Sequence, residues 1–246
     1  MVSVGGRLYR GGMKVILVPG FWLGAWSWDR IVPTLENAGH DVVPVTLPGL
    51  ESVDADRSGI GLAEHVAAVV SLIDQSDGPV VLVGHSGGGT VIHAAVDQRP
   101  GRIARAIYVD SGPLPHGTAT NPHLPADGAD LPLPPWDVFR DDGSRDLDDF
   151  TEAQLDDFRA RAVPHPAAAA ADPQVLSDGL GRYGVPVTLV STTFTRDEID
   201  SYTSSGEAFF AELPKIADVT IVELPTSHWP QFTRPELLAE VLRDAI

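Results

Sequence analysis

The stretch Val81 to Gly89, Val-Leu-Val-Gly-His-Ser-Gly-Gly-Gly, runs an apolar segment into a serine enclosed by glycines. Its centre, Gly84-His85-Ser86-Gly87-Gly88, has the Gly-x-Ser-x-Gly spacing of a nucleophile on a sharp strand-to-helix turn. Residues two positions either side of such a serine crowd the backbone and must be small. The hydroxyl then projects beyond the strand end. The helix opening at Gly87 aims free N–H groups and a partial positive charge at the same point, which suits a developing oxyanion.

A serine hydroxyl is a weak nucleophile without a base, and the base needs a carboxylate to orient it. Of the eight histidines, His228 lies in LPTSHWPQFTRPE, after the last apolar strand and before the last helix. The chain order serine, acid, histidine puts the base there. His40, His65 and His93 fall in or beside helical patterns and read as packing or surface residues. Two positions compete for the acid. Asp110 ends the apolar run of AIYVDSGPLP, where an unpaired carboxylate would be costly, and it is favoured on that ground. Asp197 in STTFTRDEID is the alternative, with Glu198 behind it. The second oxyanion donor is expected from the loop PGFWLGAWSW, where Gly20 lets the backbone approach and Phe21 or Trp22 offers its N–H. Phe21 and Gly87 are the expected donor pair. Trp22, His85 and Trp229 flank these groups and are candidates for substrate contact.

These residues need a scaffold that brings distant segments to one edge. Short apolar runs supply it: Lys14 to Pro19, Asp41 to Leu47, Pro79 to Val83, Ile103 to Val109, Val185 to Ser191 and Val219 to Leu224 read as strands. Pro44 marks the second as an edge strand or a bulge. Helical patterns at 26–38, 62–75, 87–98 and 235–245 alternate with them. Continuous Val/Ile/Leu runs separated by helices predict an α/β fold with a mostly parallel sheet flanked by helices. Residues 112–184 break the rhythm: Pro/Gly/His-rich, then acidic over Asp141 to Asp157, with helical patterns at 151–163 and 173–180. That is too long for an ordinary loop and reads as a mostly helical cap over the strand ends. The expected organisation is a core of 1–111 and 185–246 with a cap of 112–184. His116, His123 and His165 belong to the cap.

Composition narrows the function. A formal net charge of −17, with two lysines, Lys14 and Lys215, argues against nucleic-acid and membrane-surface binding. The 246 residues include no cysteine, which excludes thiolate catalysis and zinc–thiolate sites. The opening 20 residues lack a secretory pattern, and no run is long enough to span a membrane, so a cytoplasmic location is expected. Residues before Met13 read as a flexible tail or an upstream start.

Taken together, the Gly-x-Ser-x-Gly turn and His228 resemble the α/β-hydrolase superfamily. The N-terminal half is similar to its branch of plant methylesterases and hydroxynitrile lyases. That likeness rests on Gly20-x-x-x-Gly24-x-Trp26-x-Trp28 and Leu35-x-x-Ala38-Gly39-His40-x-Val42. The resemblance implies a serine hydrolase that cleaves a small-molecule carboxylic ester, lactone or thioester through an acyl-enzyme on Ser86, with no metal or organic cofactor. Two features depart from the branch. Pro19 stands where it has a histidine before the oxyanion glycine, and Thr193 and Phe194 stand where its acid normally follows the later strand. An acid at Asp110 resembles haloalkane dehalogenases, whose carboxylate nucleophile is here replaced by Ser86. A hydroxynitrile-lyase-like lyase is an alternative, disfavoured by Gly20 and Trp229 where such relatives carry threonine and lysine. A non-catalytic ligand-binding protein of this fold is the other.

Overall fold

The computed structural model describes residues 2–4, 7–9, 12–121, 123, 127–140 and 144–246. Six strands form one parallel sheet: β1 (Lys14–Val18), β2 (Asp41–Pro44), β3 (Val80–His85), β4 (Ile103–Val109), β5 (Val187–Ser191) and β6 (Val219–Glu223). Their spatial order is β6-β5-β4-β3-β1-β2. Pro44 lies on the edge strand β2, where its missing N–H leaves no ladder bond unmade.

The period of two along each strand splits the core into two layers. Ile16 and Val18 of β1, Leu82 of β3 and Ala106 and Tyr108 of β4 face one way. There they pack on α2 (Leu62–Asp74) and α3 (Gly87–Gln98) through Val66, Val69, Val91 and Ile92. Val15, Leu17, Val81, Val83 and Ile107 face the other way, onto Trp28, Leu35 of α1 (Val32–Asn37), and Leu238 and Leu242 of the C-terminal helix Pro235–Ala245. Every residue of β3 is buried, which is why it reads as a continuous apolar run up to the glycine.

Chain order reverses direction across the sheet between β1 and β3. The loops leaving their C-terminal ends therefore diverge to opposite faces and open a crevice, the place where open parallel sheets bind ligands. The loop carrying Gly20 and Phe21 leaves β1 there, and Ser86 follows β3.

Three expectations need correction. The segment 26–38 is not one helix: a 3₁₀ turn, Ala25–Trp28, precedes α1, because Pro33 has no N–H to donate and fits only in the first turn. Residues 173–180 form no helix. The N–H of Gln174 donates to the Thr118 carbonyl, that of Leu176 to His116 Nδ1 and that of Ser177 to Asp97, so tertiary partners take donors a helix would need. Helix is consequently a smaller share of the insertion than its periodicity suggests. Among the described residues it comprises α4 (Trp136–Arg140), α5 (Glu152–Arg161), α6 (Ala167–Ala171) and a 3₁₀ turn at Gly181–Gly184, with a two-residue ladder joining Asp130–Leu131 to His165–Pro166. Third, part of the expected N-terminal tail is paired: Val2–Val4 runs antiparallel to Arg7–Tyr9. Residues 1, 5, 6, 10 and 11, and 141–143 of the acidic run, lie outside the described residues.

The insertion is fastened to the core. The buried Arg57 guanidinium donates to the Pro164 carbonyl at 2.6 Å and reaches Asp130 at 3.3 Å. Trp22 Nε1 donates to the Leu131 carbonyl at 3.0 Å, and the Val163 N–H donates to the Trp22 carbonyl at 3.0 Å. Among the described residues, no helix is long and apolar enough to cross a membrane.

Candidate active site

Ser86 joins β3 to α3 with φ +51°, a backbone region that costs a non-glycine residue of order 1–2 kcal/mol. The turn is tight enough to exclude side chains on both flanks. A Cβ on Gly84 would lie 2.6 Å from the Gly88 carbonyl oxygen, and one on Gly88 would lie 2.6 Å from the Val18 and Pro19 oxygens. Three other described non-glycine residues have positive φ: Trp22, Asp110 and Asp149. Trp22 lies in the loop after β1 and Asp110 follows β4. Asp149 accepts from Thr226 Oγ1, two residues before His228, and pairs with Arg234. Backbone strain is thus gathered around one point, as at sites where surrounding structure over-determines the geometry.

Ser86 Oγ lies 2.8 Å from His228 Nε2, and His228 Nδ1 lies 2.6 Å from Asp110 Oδ2. Asp110 is 6% exposed and His228 20%. Asp110 Oδ1 accepts from the backbone N–H groups of Thr192 and Thr193 at 2.9 and 3.0 Å and from Thr193 Oγ1 at 3.0 Å. Burial alone would raise its pKa. The hydrogen bond and charge of His228, with the Thr192 N–H, outweigh that and bring it down to about 2. A carboxylate so held is ionised and only accepts, so Nδ1 of His228 carries the proton and Nε2 is free to accept from Ser86. Burial would lower the His228 pKa; the Asp110 hydrogen bond and charge win, and it is raised.

Among the acids weighed from the sequence, the structure brings Asp110 to His228 and leaves the others elsewhere. Asp197 is exposed in the first turn of α7 (Arg196–Ser205). Glu198 closes that helix's capping box, accepting the Thr195 N–H at 2.7 Å. Thr193, at the position where the resembling branch keeps its acid, instead donates to Asp110. That vacancy was the sequence signal for a supporting residue the sequence reading missed. Ser111, also missed, donates from Oγ to the Ser86 carbonyl at 2.7 Å and sits where a Cβ on Gly89 would be.

The β1 loop passes directly over the nucleophile. A Cβ on Gly20 would lie 2.9 Å from Ser86 Cβ, and one on Gly87 would lie 2.4 Å from the Phe21 ring. Gly20 thus packs against the nucleophile, and the Phe21 ring packs against the start of α3. A cavity of about 520 Å³ opens above Ser86 and His228, with Phe21, Trp22 and Trp229 in its wall.

His85 is the exception among the expected substrate contacts. The last residue of β3, it is fully buried and does not line the cavity. Its Nε2 donates to the His228 carbonyl at 2.8 Å, and its Nδ1 accepts from Gln231 Nε2 at 3.3 Å. Burial, with the nearby His228, pushes its pKa down to about 3, so it is a neutral imidazole with both nitrogens engaged. It ties the nucleophile strand to the loop that carries His228.

Methylesterase 3 of Arabidopsis thaliana is 34% identical over 151 residues, covering 58% of this chain and 52% of that protein. A carbendazim hydrolyzing esterase from a Nocardioides strain is 31% identical over 112 residues, covering 45% of this chain and 46% of its own. The chain thus spans about half the length of these curated relatives, and a smaller share of some others. Among solved structures, an extracellular alpha/beta-hydrolase from a Paenibacillus species, described as homologous in structure and function to tobacco salicylic acid binding protein 2, superposes with a TM-score of 0.73. It is 22% identical, with 95% of this chain and 98% of that one covered, a likeness of fold. The model of the alpha/beta hydrolase family matches residues 15–241, from β1 into the last helix and through every element that positions Ser86, Asp110 and His228. By that match and by its sheet, the chain belongs to the alpha/beta hydrolase family.

Proposed function

We propose that this protein hydrolyses a carboxylic ester, lactone or thioester through an acyl-enzyme on Ser86. The observation that carries the reading is the unbroken run of hydrogen bonds from Ser86 through His228 to Asp110 at the floor of an open cavity. The relatives named as a methylesterase and an esterase support the same bond type.

In this mechanism Ser86 Oγ attacks the carbonyl carbon as its proton passes to His228 Nε2. Asp110 keeps the imidazole in the accepting tautomer and offsets the imidazolium charge. The Phe21 and Gly87 N–H groups receive the oxyanion, helped by the positive end of α3. His228 returns the proton to the departing alkoxide or thiolate, then activates a water that releases the acyl group and restores Ser86. The insertion acts as a cap that limits water and shapes the cavity. For a lyase, no cation follows the base: the next residue is the buried Trp229.

A fluorophosphonate probe should label wild-type protein at Ser86 and spare Ser86→Ala. Ser86→Ala should lose on the order of 10⁶ in kcat on an activated ester, the scale of other nucleophile deletions. Turnover by Ser86→Ala near the wild-type rate would sink the proposal.

A further inference from the structure

The end of β4 grips the nucleophile by more than its histidine. Consecutive residues there each hold one part of the site. The Val109 carbonyl accepts the Ser86 N–H at 3.1 Å, Asp110 holds His228, and Ser111 Oγ donates to the Ser86 carbonyl at 2.7 Å. The same carbonyl accepts the Gly89 N–H at 2.8 Å, a bond the turn itself supplies. Gly89 makes room for Ser111: a Cβ there would overlap the Ser111 hydroxyl and lie 2.8 Å from the Ser111 Cβ. The Gly-x-Ser-x-Gly spacing asks for no glycine at this position, so it is Ser111 that accounts for Gly89.

That bond reaches the oxyanion. The Ser86 carbonyl and the Gly87 N–H belong to one peptide unit, which is planar and trans, so the two point in opposite directions. A donor fixed on the carbonyl therefore fixes the direction of the N–H. It also polarises the unit, because hydrogen bonds in a chain strengthen one another by about 10–30% per bond. Gly87 opens α3, and its N–H is an oxyanion donor of the mechanism above. Ser86 itself holds φ +51°, a conformation that persists only where neighbours enforce it. Ser111 stands in the cavity wall, yet no step of that mechanism uses it.

Resting on the hydrolase reading above, we propose that Ser111 is a positioning residue for the oxyanion hole: by holding the Ser86 carbonyl, its hydroxyl aims and polarises the Gly87 N–H. It acts through the Ser86–Gly87 peptide and moves no proton. The benefit falls on the transition state, where negative charge on the former carbonyl oxygen is developing, so it belongs to kcat and not to KM.

The test begins with p-nitrophenyl acetate. Absence of Ser86-dependent turnover would overturn the hydrolase reading itself. With turnover established, Ser111→Ala should lower kcat about tenfold with KM within about twofold of wild type, short of the roughly 10²–10³ that loss of a whole oxyanion donor costs. The acid limb of its pH profile should stay at the wild-type position, because Asp110 and His228 keep their bond. In protein phosphonylated at Ser86, the phosphonyl oxygen stands in for the oxyanion. There the Gly87 amide proton of Ser111→Ala should resonate upfield of its wild-type position, the sign of a weaker hydrogen bond. Ser111→Cys, close in shape but a weak donor, should show the same signs and serves should Ser111→Ala not fold. A folded variant with kcat within about twofold of wild type would overturn the inference. So would a displaced acid limb, which would route the loss through Asp110, or a Gly87 amide proton that does not move.

Discussion

Replacing Asp110 by asparagine removes one charge and almost no volume, yet its effect can be worked from the hydrogen bonds. Three donors converge on Asp110 Oδ1: the N–H groups of Thr192 and Thr193 and the Thr193 hydroxyl. An amide at this position must keep its oxygen toward them, because two of the three are backbone N–H groups that cannot turn away. Its NH₂ then faces His228 Nδ1, 2.6 Å from the present Oδ2. Nδ1 is forced to accept, the ring proton moves to Nε2, and Nε2 presents a proton to Ser86 instead of a lone pair. The base is switched off without leaving its place. The same exchange in a serine protease triad costs about 10⁴ in kcat, or about 5 kcal/mol of barrier. We expect Asp110→Asn to lose about that factor on an activated ester, with KM changed little and the fold retained. Asp197→Asn, made on the exposed start of α7, should stay within about twofold of wild type, as surface changes away from a site do. Asp110→Asn within tenfold of wild type, or Asp197→Asn as the slower variant, would refute the reasoning.

Three further outcomes follow from the same geometry. The raised His228 pKa places the acid limb of kcat/KM above the ordinary 6.5, because the base works only when neutral; Asp110→Asn should move that limb down. The stabilisation tied to that shift is complete below about 6.5 and lost as pH rises through the raised value, so pH-dependent melting curves give a second reading of it. Gly88→Ala places a Cβ 2.6 Å from two backbone oxygens and should cost about 1–3 kcal/mol in denaturant melts, whereas Gly78→Ala, with nothing within 4 Å, should be nearly silent. His85→Ala strips the His228 carbonyl of its donor and should lower kcat about 10- to 100-fold with KM nearly constant; His85→Gln, which can carry an N–H to the same oxygen, should recover part of the loss. Equal effects of the two His85 variants on kcat would remove its positioning role.

The strands were legible because burial on both faces leaves a plain record, and Val80–Val83 and Ile103–Val109 are nearly all apolar. The Ser86 turn was legible because close backbone approach demands glycine at both flanks, a constraint written in residue type alone. Position after a strand leaves Asp110 and Asp197 as candidate acids and burial cost favours Asp110; the distance to His228 that decides between them is nothing periodicity supplies. The motif names the place of His85 in the chain, but its buried partners, the His228 carbonyl and Gln231, are far away in sequence, which no local pattern records. The segment 173–180 was misread because its pattern suits a helix, but Gln174 and Ser177 find partners at Thr118 and Asp97, far away in sequence.

Hydrolysis by this route must pass through a covalent acyl-enzyme on Ser86. Intact-mass measurement within the first turnover of a slowly deacylating activated ester tests it most directly. One acyl group per chain is expected, released with base-dependent kinetics, mapped to the peptide containing Ser86 and absent from Ser86→Ala. Steady hydrolysis by wild-type protein with no adduct, or with the adduct on another residue, would contradict it.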